Sequence, residues 1–289
     1  MSYVHDAKFR IRYHECGAFG HVHYADYLRY MQQAAIEGSA AVGYSEERYM
    51  ELGYLWLAYG SSIEYLAPLV KGDEFTVRTW VHDFRRVRSL RRYDFYRDGK
   101  LVTRANTDWV LIHSQTMRPV SVPPEMVDAY AQGDPVEPTP RSDPLPSSSE
   151  PDEGTFRLRR RVEWRDIDTV GHVNNAVYMH YCEDCGMQLR RERGWPLERL
   201  LDEGYALVAR RHQIEYKAAA QADDELEIAT WVSQVDGNSI LRHYVVRRVA
   251  DGLLLAQVRA LYGWIMQETG QLVTIPEAYI DGLALHCTG

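Results

Sequence analysis

The chain of 289 residues contains one long internal duplication. Segment 20–27 reads GHVHYADY and segment 171–178 reads GHVNNAVY, so that His21 and His172 lie 151 residues apart. The same spacing then persists without a gap over about sixty residues. It pairs 63–65 with 214–216 (both IEY) and 79–81 with 230–232 (both TWV). Chance does not keep one register over that length, so the sequence predicts two tandem copies of one domain rather than a short-period solenoid.

A segment rich in proline and serine separates the two copies. It spans residues 124–155 and includes the run PVEPTPRSDPLPSSSEP. Proline at this density supports neither a helix nor a strand, so we predict an exposed, semi-extended linker. The predicted domains are therefore residues 1–123 and 156–289, and each is long enough to bury an ordinary core.

The same order of elements is expected in each copy. The opening strands are predicted at about 6–14 and 156–165, and the long helices at 24–42 and 174–193. Four β-rich runs follow in each copy. They are 54–66, 74–84, 89–97 and 101–113 in the first copy, and 205–217, 225–235, 239–249 and 253–266 in the second. Gly43 and Gly194 end the helices at the position where glycine is favoured. A strand, a helix and a meander of strands predict an α+β fold, with one long helix packed on one face of an antiparallel sheet.

The start of the second predicted helix carries groups suited to acyl-group hydrolysis. Asp168 lies four residues before His172, and we expect the helix to begin just after them, at Asn174 or Asn175. Backbone N–H groups at a helix N-terminus lack helical acceptors, bind anions and can stabilise a developing oxyanion. A carboxylate beside them can attack the acyl carbon as a nucleophile or activate water as a general base. The sequence leaves these two mechanisms open.

The two copies differ at this point. Gly17 stands in the first copy where Asp168 stands in the second, and His23 and Tyr24 replace Asn174 and Asn175. The first copy has therefore lost the acid. We predict one working site per chain, built mainly by the second copy.

The motif DIDTVGHVNNAVY at 166–178, with IEYK at 214–217, resembles the hotdog-fold thioesterases. The first copy, through RYHECGAFGHVHYADYLR at 12–29, resembles the 4-hydroxybenzoyl-CoA thioesterase branch. The second copy is also similar to the acyl-acyl-carrier-protein thioesterases, which are themselves tandem hotdogs. The resemblance implies two hotdog domains that form a pseudo-dimer within one chain, in place of the two-fold homodimer of a single-copy chain.

The resemblance also implies roles for individual residues. In the first branch, an acid three residues before the loop glycine is catalytic and the N–H seven residues after that acid is the oxyanion donor. Those positions are Asp168 and Asn175. In the second branch, an Asp-x-Asn-x-His triplet and a strand glutamate are implicated, and Asp168, His172 and Glu215 match them. His172 recurs as His21, so it has either a structural role or a site role, in which a neutral imidazole orients Asp168 or hydrogen-bonds the thioester carbonyl. Glu215 points either into the site or out to water. Val170 stands where that triplet has asparagine, so the sequence departs from the acyl-carrier-protein pattern.

Further residues are assigned to substrate binding. Glu64 is the first copy's counterpart of Glu215 and competes with it, because sites in dimeric hotdogs form across the two-fold interface. Trp56 is assigned either to the core or to the apolar acyl pocket. The other assignments are Asn174, Tyr24, Arg85 and Arg86, the last two in a basic hairpin with Arg88, Arg91 and Arg92. That hairpin is either a solvated turn, or a site for the phosphates of a CoA or phosphopantetheine arm or for an acidic carrier protein.

Composition limits the partners. A net charge of −8 argues against nucleic acid, which requires a basic surface. No apolar signal region is visible, and no apolar run approaches the roughly 18 residues of a membrane span, so we expect a cytoplasmic protein without a membrane partner.

The pair Cys182 and Cys185 falls inside the predicted helix, where two half-buried residues are expected rather than a redox or metal pair. We expect no metal or cofactor, and association into a homodimer stays open.

These features predict an enzyme that hydrolyses an acyl thioester of CoA or of an acyl carrier protein. One alternative is a non-catalytic acyl-thioester-binding protein that kept the fold. Another is a hotdog dehydratase acting on 3-hydroxyacyl thioesters, which needs a histidine poised to take a proton from carbon and a second acid. The position of Asp168 beside the expected oxyanion donors favours hydrolysis.

Overall fold

The computed structural model describes residues 2–132, 146–151 and 153–282. The chain divides into two compact units, Met1–Asp143 and Pro144–Gly289. This division falls inside the segment predicted as a linker. Of that segment, residues 133–145 and 152 lie outside the described residues.

The first unit contains one antiparallel sheet and one long helix. Its strands are β1 (Val4–Arg10), β2 (Tyr54–Tyr65), β3 (Glu74–Arg85), β4 (Arg88–Arg97) and β5 (Lys100–His113), and its helices are α1 (Tyr24–Ala41), α2 (Glu46–Leu52) and α3 (Pro124–Tyr130). The strands lie in the order β1-β3-β4-β5-β2. The long helix α1 packs on β1 and β3 and buries the side chains of Ala25, Leu28 and Met31.

The second unit repeats this architecture. Its strands are β6 (Phe156–Arg161), β7 (Tyr205–Tyr216), β8 (Glu225–Asp236), β9 (Ser239–Arg248) and β10 (Leu254–Met266), and its helices are α4 (Val177–Glu192), α5 (Leu197–Asp202) and α6 (Glu277–Gly282). The strand order is β6-β8-β9-β10-β7, and α4 packs on β6 and β8. Within the described ranges, no helix is both long and apolar enough to cross a membrane. Each unit thus has the predicted α+β architecture.

The prediction of a four-stranded meander is wrong in one respect. Consecutive strands β3, β4 and β5 are neighbours, but β2 pairs with β5 and not with β3. The reason is that β3 already has two neighbours, because the opening strand β1 pairs along its other edge. The same holds in the second unit, where β7 pairs with β10 and β6 occupies the edge of β8.

The prediction that the segment 124–155 contains no helix is wrong at the beginning of the segment. Residues Pro124–Tyr130 form α3, whose first position tolerates proline because the first helical N–H needs no acceptor. Met126 and Tyr130 are buried in a cluster with Tyr44, Val81 and Leu111. This part of the segment therefore belongs to the core of the first unit.

The second long helix begins at Val177, later than the predicted Asn174 or Asn175. The side-chain oxygen of Asn174 accepts the N–H of Ala176 at 3.0 Å, and its carbonyl accepts the N–H of Val177 at 2.9 Å. Because an asparagine side chain competes for backbone N–H groups, these residues form a separate turn before α4. In the first unit, α1 begins directly at Tyr24, the counterpart of Asn175.

Candidate active site

A short 3-10 turn leads into the candidate loop in both units. In the second unit it spans Trp164–Asp166, and the carboxylate of Asp166 accepts the hydroxyl of Tyr181 at 2.8 Å. In the first unit Glu15 accepts the hydroxyl of Tyr30 at 2.7 Å in the same way. An acid retained in both copies therefore fixes the start of the loop, and this structural role was not predicted, although the paired acid and tyrosine recur at the duplication spacing.

Asp168 lies half-buried in the loop that follows this turn. Its backbone N–H donates to the carbonyl of His172 at 2.9 Å, and the N–H of Gly171 donates to its carbonyl at 3.0 Å, which closes a tight loop. Its carboxylate accepts the N–H of Val170 at 2.9 Å and the side-chain amide of Asn174 at 3.4 Å. Gly171 has a φ of 87°, a backbone conformation that favours glycine. The loop itself therefore holds the carboxylate in place.

The turn before α4 leaves one backbone donor without an acceptor among the described residues. The N–H of Asn174 donates to the carbonyl of Asp166 at 2.9 Å, while the N–H groups of Ala176 and Val177 both donate to Asn174. Within the described ranges the N–H of Asn175 meets no acceptor. An amide in this position, at the positive end of α4, is suited to stabilise an oxyanion. The structure thus brings Asp168, Asn174 and Asn175 together, with Asn174 connecting the acid to the turn.

His172 follows Asp168 by four residues, but its ring does not hold the Asp168 carboxylate. Among the described residues the half-buried imidazole has no hydrogen-bond partner, and the side-chain contact to the Asp168 carboxylate comes from Asn174. His172 contributes its main-chain carbonyl to the loop. The contacts of His172 therefore show a structural role for its main chain and give no support to orientation of Asp168 by its ring.

Glu215 does not reach this loop within its own unit. The next residue on β7, Tyr216, donates its hydroxyl to the carbonyl of Asn175 at 2.9 Å. Because successive side chains of a strand point to opposite faces, Glu215 lies on the other face of β7. There it pairs with Lys217 at 2.6 Å and Arg259 at 2.7 Å, and its pKa is lowered, first by the hydrogen bond from Lys217.

Three candidates lie in the first unit. Glu64 pairs with Arg104 at 3.8 Å across β2 and β5. The ring of Tyr24 packs against that of Tyr65, with centroids 5.1 Å apart. Trp56 is half-buried against the core cluster that includes Met126 and Tyr130. These contacts are compatible with a structural role and with a role in substrate binding.

The basic hairpin is smaller than predicted. Arg85 is exposed and pairs with Asp83 at 3.0 Å, and Arg86 is exposed as well. Arg91 and Arg92, predicted in the same hairpin, are buried within β4. Arg91 donates to the hydroxyls of Ser39 at 3.2 Å and Tyr130 at 3.4 Å, so it ties β4 to α1 and α3 and does not face solvent.

The two cysteines of α4 are buried, free thiols. Burial raises the pKa of both Cys182 and Cys185, the latter to about 12. Both groups therefore stay protonated, which disfavours redox or metal chemistry. In the part of the chain that the structure describes, no group of three histidine, cysteine, aspartate or glutamate side chains is arranged to hold a metal ion.

Each unit packs one long helix on a five-stranded antiparallel sheet. The second unit adds a carboxylate beside a backbone N–H that has no acceptor among the described residues. Together these features define the class of hotdog-fold acyl thioesterases. The profile of the thioesterase-like superfamily matches residues 162–283, and that of the acyl-ACP thioesterase N-terminal domain matches residues 2–130. The chain belongs to the thioesterase-like superfamily, and the predictions of a two-domain hotdog fold and of thioester hydrolysis are confirmed.

Individual relatives agree with this assignment. Over 103 residues the chain is 37% identical to the acyl-CoA thioesterase YbgC of Haemophilus influenzae, a match that covers 35% of this chain and 74% of that protein. It is 22% identical over 255 residues to oleoyl-acyl carrier protein thioesterase 1 of Arabidopsis thaliana, covering 80% of this chain and 65% of that protein. The crystal structure of a putative oleoyl thioesterase from Lactobacillus plantarum aligns with a TM-score of 0.77 at 20% identity, over 95% of this chain and 98% of the other.

Proposed function

We propose that the chain hydrolyses acyl thioesters of coenzyme A or of an acyl carrier protein at one site, in which Asp168 is the reacting carboxylate and the N–H of Asn175 is the oxyanion donor. One observation carries this proposal. The carboxylate of Asp168 is held by Val170 and by Asn174, and Asn174 directly precedes Asn175, whose backbone N–H has no acceptor among the described residues. The relatives with acyl-CoA and acyl-carrier-protein substrates support the substrate class.

The chemistry follows from the charges that develop during the reaction. Attack on the thioester carbon moves negative charge onto the carbonyl oxygen, where the N–H of Asn175 and the N-terminal end of α4 stabilise it. If Asp168 attacks directly, a mixed anhydride forms, the thiol leaves, and water then hydrolyses the anhydride. If Asp168 acts as a base, it takes a proton from the water that attacks. Both routes release a carboxylic acid and a free thiol.

We expect no equivalent site in the first unit. A Cβ atom at Gly17, the counterpart of Asp168, would lie 2.9 Å from the Cε1 atom of His23. The ring of His23 therefore occupies the space that an acidic side chain at Gly17 would need. Because His23 is the counterpart of Asn174, two substitutions together remove the acid and fill its place.

Release of free thiol from a panel of acyl-CoA and acyl-carrier-protein thioesters tests the proposal. We expect hydrolysis by the parent chain, and a loss of at least about 100-fold in kcat for Asp168→Asn, the lower range for a general base. A thermal melt of both proteins controls for folding. Equal activity of the parent and of Asp168→Asn would reject the assignment of the site.

A further inference from the structure

The turn that presents Asn175 leaves its carbonyl without the usual helical donor. In a regular α-helix the N–H of residue 179 would donate to the carbonyl of residue 175. Here the N–H of Met179 donates to the carbonyl of Ala176 at 3.1 Å. The carbonyl of Asn175 therefore depends on a group from elsewhere in the fold, since a buried carbonyl without a donor is destabilising.

Tyr216 at the end of β7 supplies that group. Its hydroxyl donates to the carbonyl of Asn175 at 2.9 Å. Burial raises the pKa of Tyr216, so the hydroxyl stays protonated and remains a donor. Its ring packs edge-on against Tyr178 with centroids 5.7 Å apart, and the Tyr178 hydroxyl is itself held by the N–H of Ala220 at 3.0 Å. The edge-on contact with the ring of Tyr178 on α4 thus helps to hold the ring of Tyr216 in place.

The peptide group between Asn175 and Ala176 is consequently held at both ends. Asn174 accepts its N–H at 3.0 Å, and Tyr216 donates to its carbonyl at 2.9 Å. The preceding peptide group is held as well, because the carbonyl of Asn174 accepts the N–H of Val177 at 2.9 Å. With both peptide groups held, the backbone dihedrals of Asn175 and the direction of its N–H are set. A shift of about 1 Å in such a donor can lower the rate about 100-fold without changing the binding of substrate.

We infer that Tyr216 is a positioning residue that aims the oxyanion-donating N–H of Asn175, and that its hydroxyl acts through this peptide group rather than on the substrate. This inference rests on the proposed role of Asn175. Within the second unit, the contribution of β7 to the site then comes from Tyr216 and not from the neighbouring Glu215.

The first unit provides a matched comparison. Tyr65 is the counterpart of Tyr216, and Tyr24 is the counterpart of Asn175. There the two rings pack together at 5.1 Å, and α1 is helical from Tyr24 onward. The same strand tyrosine is therefore present next to a helix start that has no counterpart of Asp168, which makes Tyr65→Phe the natural control for Tyr216→Phe.

The test compares Tyr216→Phe, Tyr65→Phe and Tyr178→Phe, each of which removes one hydroxyl and keeps the ring. We expect Tyr216→Phe to lower kcat by about 10-fold to 100-fold with KM within about twofold of the parent. An acyl-CoA analogue with a trifluoromethyl ketone in place of the thioester, which mimics the tetrahedral intermediate, should bind more weakly by the same factor. A thioether analogue without the carbonyl should keep its affinity. Tyr65→Phe and Tyr178→Phe should leave kcat within about threefold of the parent.

Several results would overturn the inference. The first is an unchanged kcat in folded Tyr216→Phe, and the second is an equal loss of affinity for both analogues. The third is a fall in kcat for Tyr178→Phe that equals the fall for Tyr216→Phe. The fourth is a Tyr216→Phe chain that does not fold, which would show that the hydroxyl serves the fold as a whole. The proposed function fails separately, through full activity of Asp168→Asn. If Asp168→Asn is inactive and Tyr216→Phe is fully active, the proposed site stands and the positioning role is wrong.

Discussion

Replacing Asp168 by asparagine should stop hydrolysis at a small cost in stability. The Asp168 carboxylate accepts one hydrogen bond from the N–H of Val170 at 2.9 Å and one from the side-chain amide of Asn174 at 3.4 Å. An amide at this position keeps an acceptor for Val170 but turns its own NH2 group toward the NH2 group of Asn174. One hydrogen bond is lost, which costs about 1 kcal/mol and lowers Tm by about 2–4 °C. The loss of the reacting carboxylate should lower kcat by at least about 100-fold.

Exchanging the side chains at positions 168 and 174 separates the effect on catalysis from the effect on thermal stability. In the double variant Asp168→Asn with Asn174→Asp, the new amide at position 168 donates to the new carboxylate at position 174. The second carboxylate oxygen accepts the N–H of Ala176, as the side-chain oxygen of Asn174 does now at 3.0 Å. The hydrogen bonds and the net charge are restored, so most of the roughly 1 kcal/mol should return. The carboxylate has nevertheless moved, and activity should stay low.

Thiol release and thermal melts of the parent, the single variant and the double variant give the answer. We expect Tm of the double variant to recover toward that of the parent while kcat stays at least about 100-fold lower. Recovery of kcat together with Tm would refute the reasoning, because a carboxylate anywhere in the loop would then be sufficient. A single variant with parental kcat would remove Asp168 from the chemistry.

Four further predictions follow from the site and its surroundings. An inhibitor that traps the acyl group should label one equivalent per chain, and a second equivalent would show that the first unit is active despite Gly17. Trp56→Ala should shift kcat/KM toward longer or bulkier acyl groups in a chain that still melts cooperatively; an unchanged profile would assign Trp56 to the core alone. Arg86→Gln should raise KM at low salt and have little effect at high salt, where screening removes the attraction; an effect independent of salt would contradict a role in binding phosphate or an acidic carrier. Burial lowers the pKa of His212 from 6.5 to about 3, so the unfolded chain binds a proton that the folded chain does not, and the stability that neutral His212 contributes above pH 6.5 is lost as pH falls toward 3. His212→Gln should therefore flatten the dependence of Tm on pH between about 6 and 4, and an equal slope in both proteins would refute this.

Local sequence patterns predict much of the fold. The duplication alone fixes the number of domains, and glycines and strand-forming residues set most element bounds within a few residues. The errors have local causes as well. The side chain of Asn174 accepts the N–H of Ala176 and delays the start of α4. Two buried side chains, Met126 and Tyr130, draw α3 into the core. Neither effect is visible from composition, because both depend on which partners the fold brings within reach.

The sequence by itself determined that one copy has an acid and the other does not, and that the acid precedes a helix start. It did not determine the direction of any side chain. Tertiary structure decided that Asn174 rather than His172 holds Asp168, and that His23 occupies the space beside Gly17. It also decided that the strand segment 214–217 turns Tyr216, and not Glu215, toward the Asn175 turn. Residues 41 positions apart meet there only because β7 and the start of α4 are packed together, and a one-residue change of strand register would exchange the two side chains between faces.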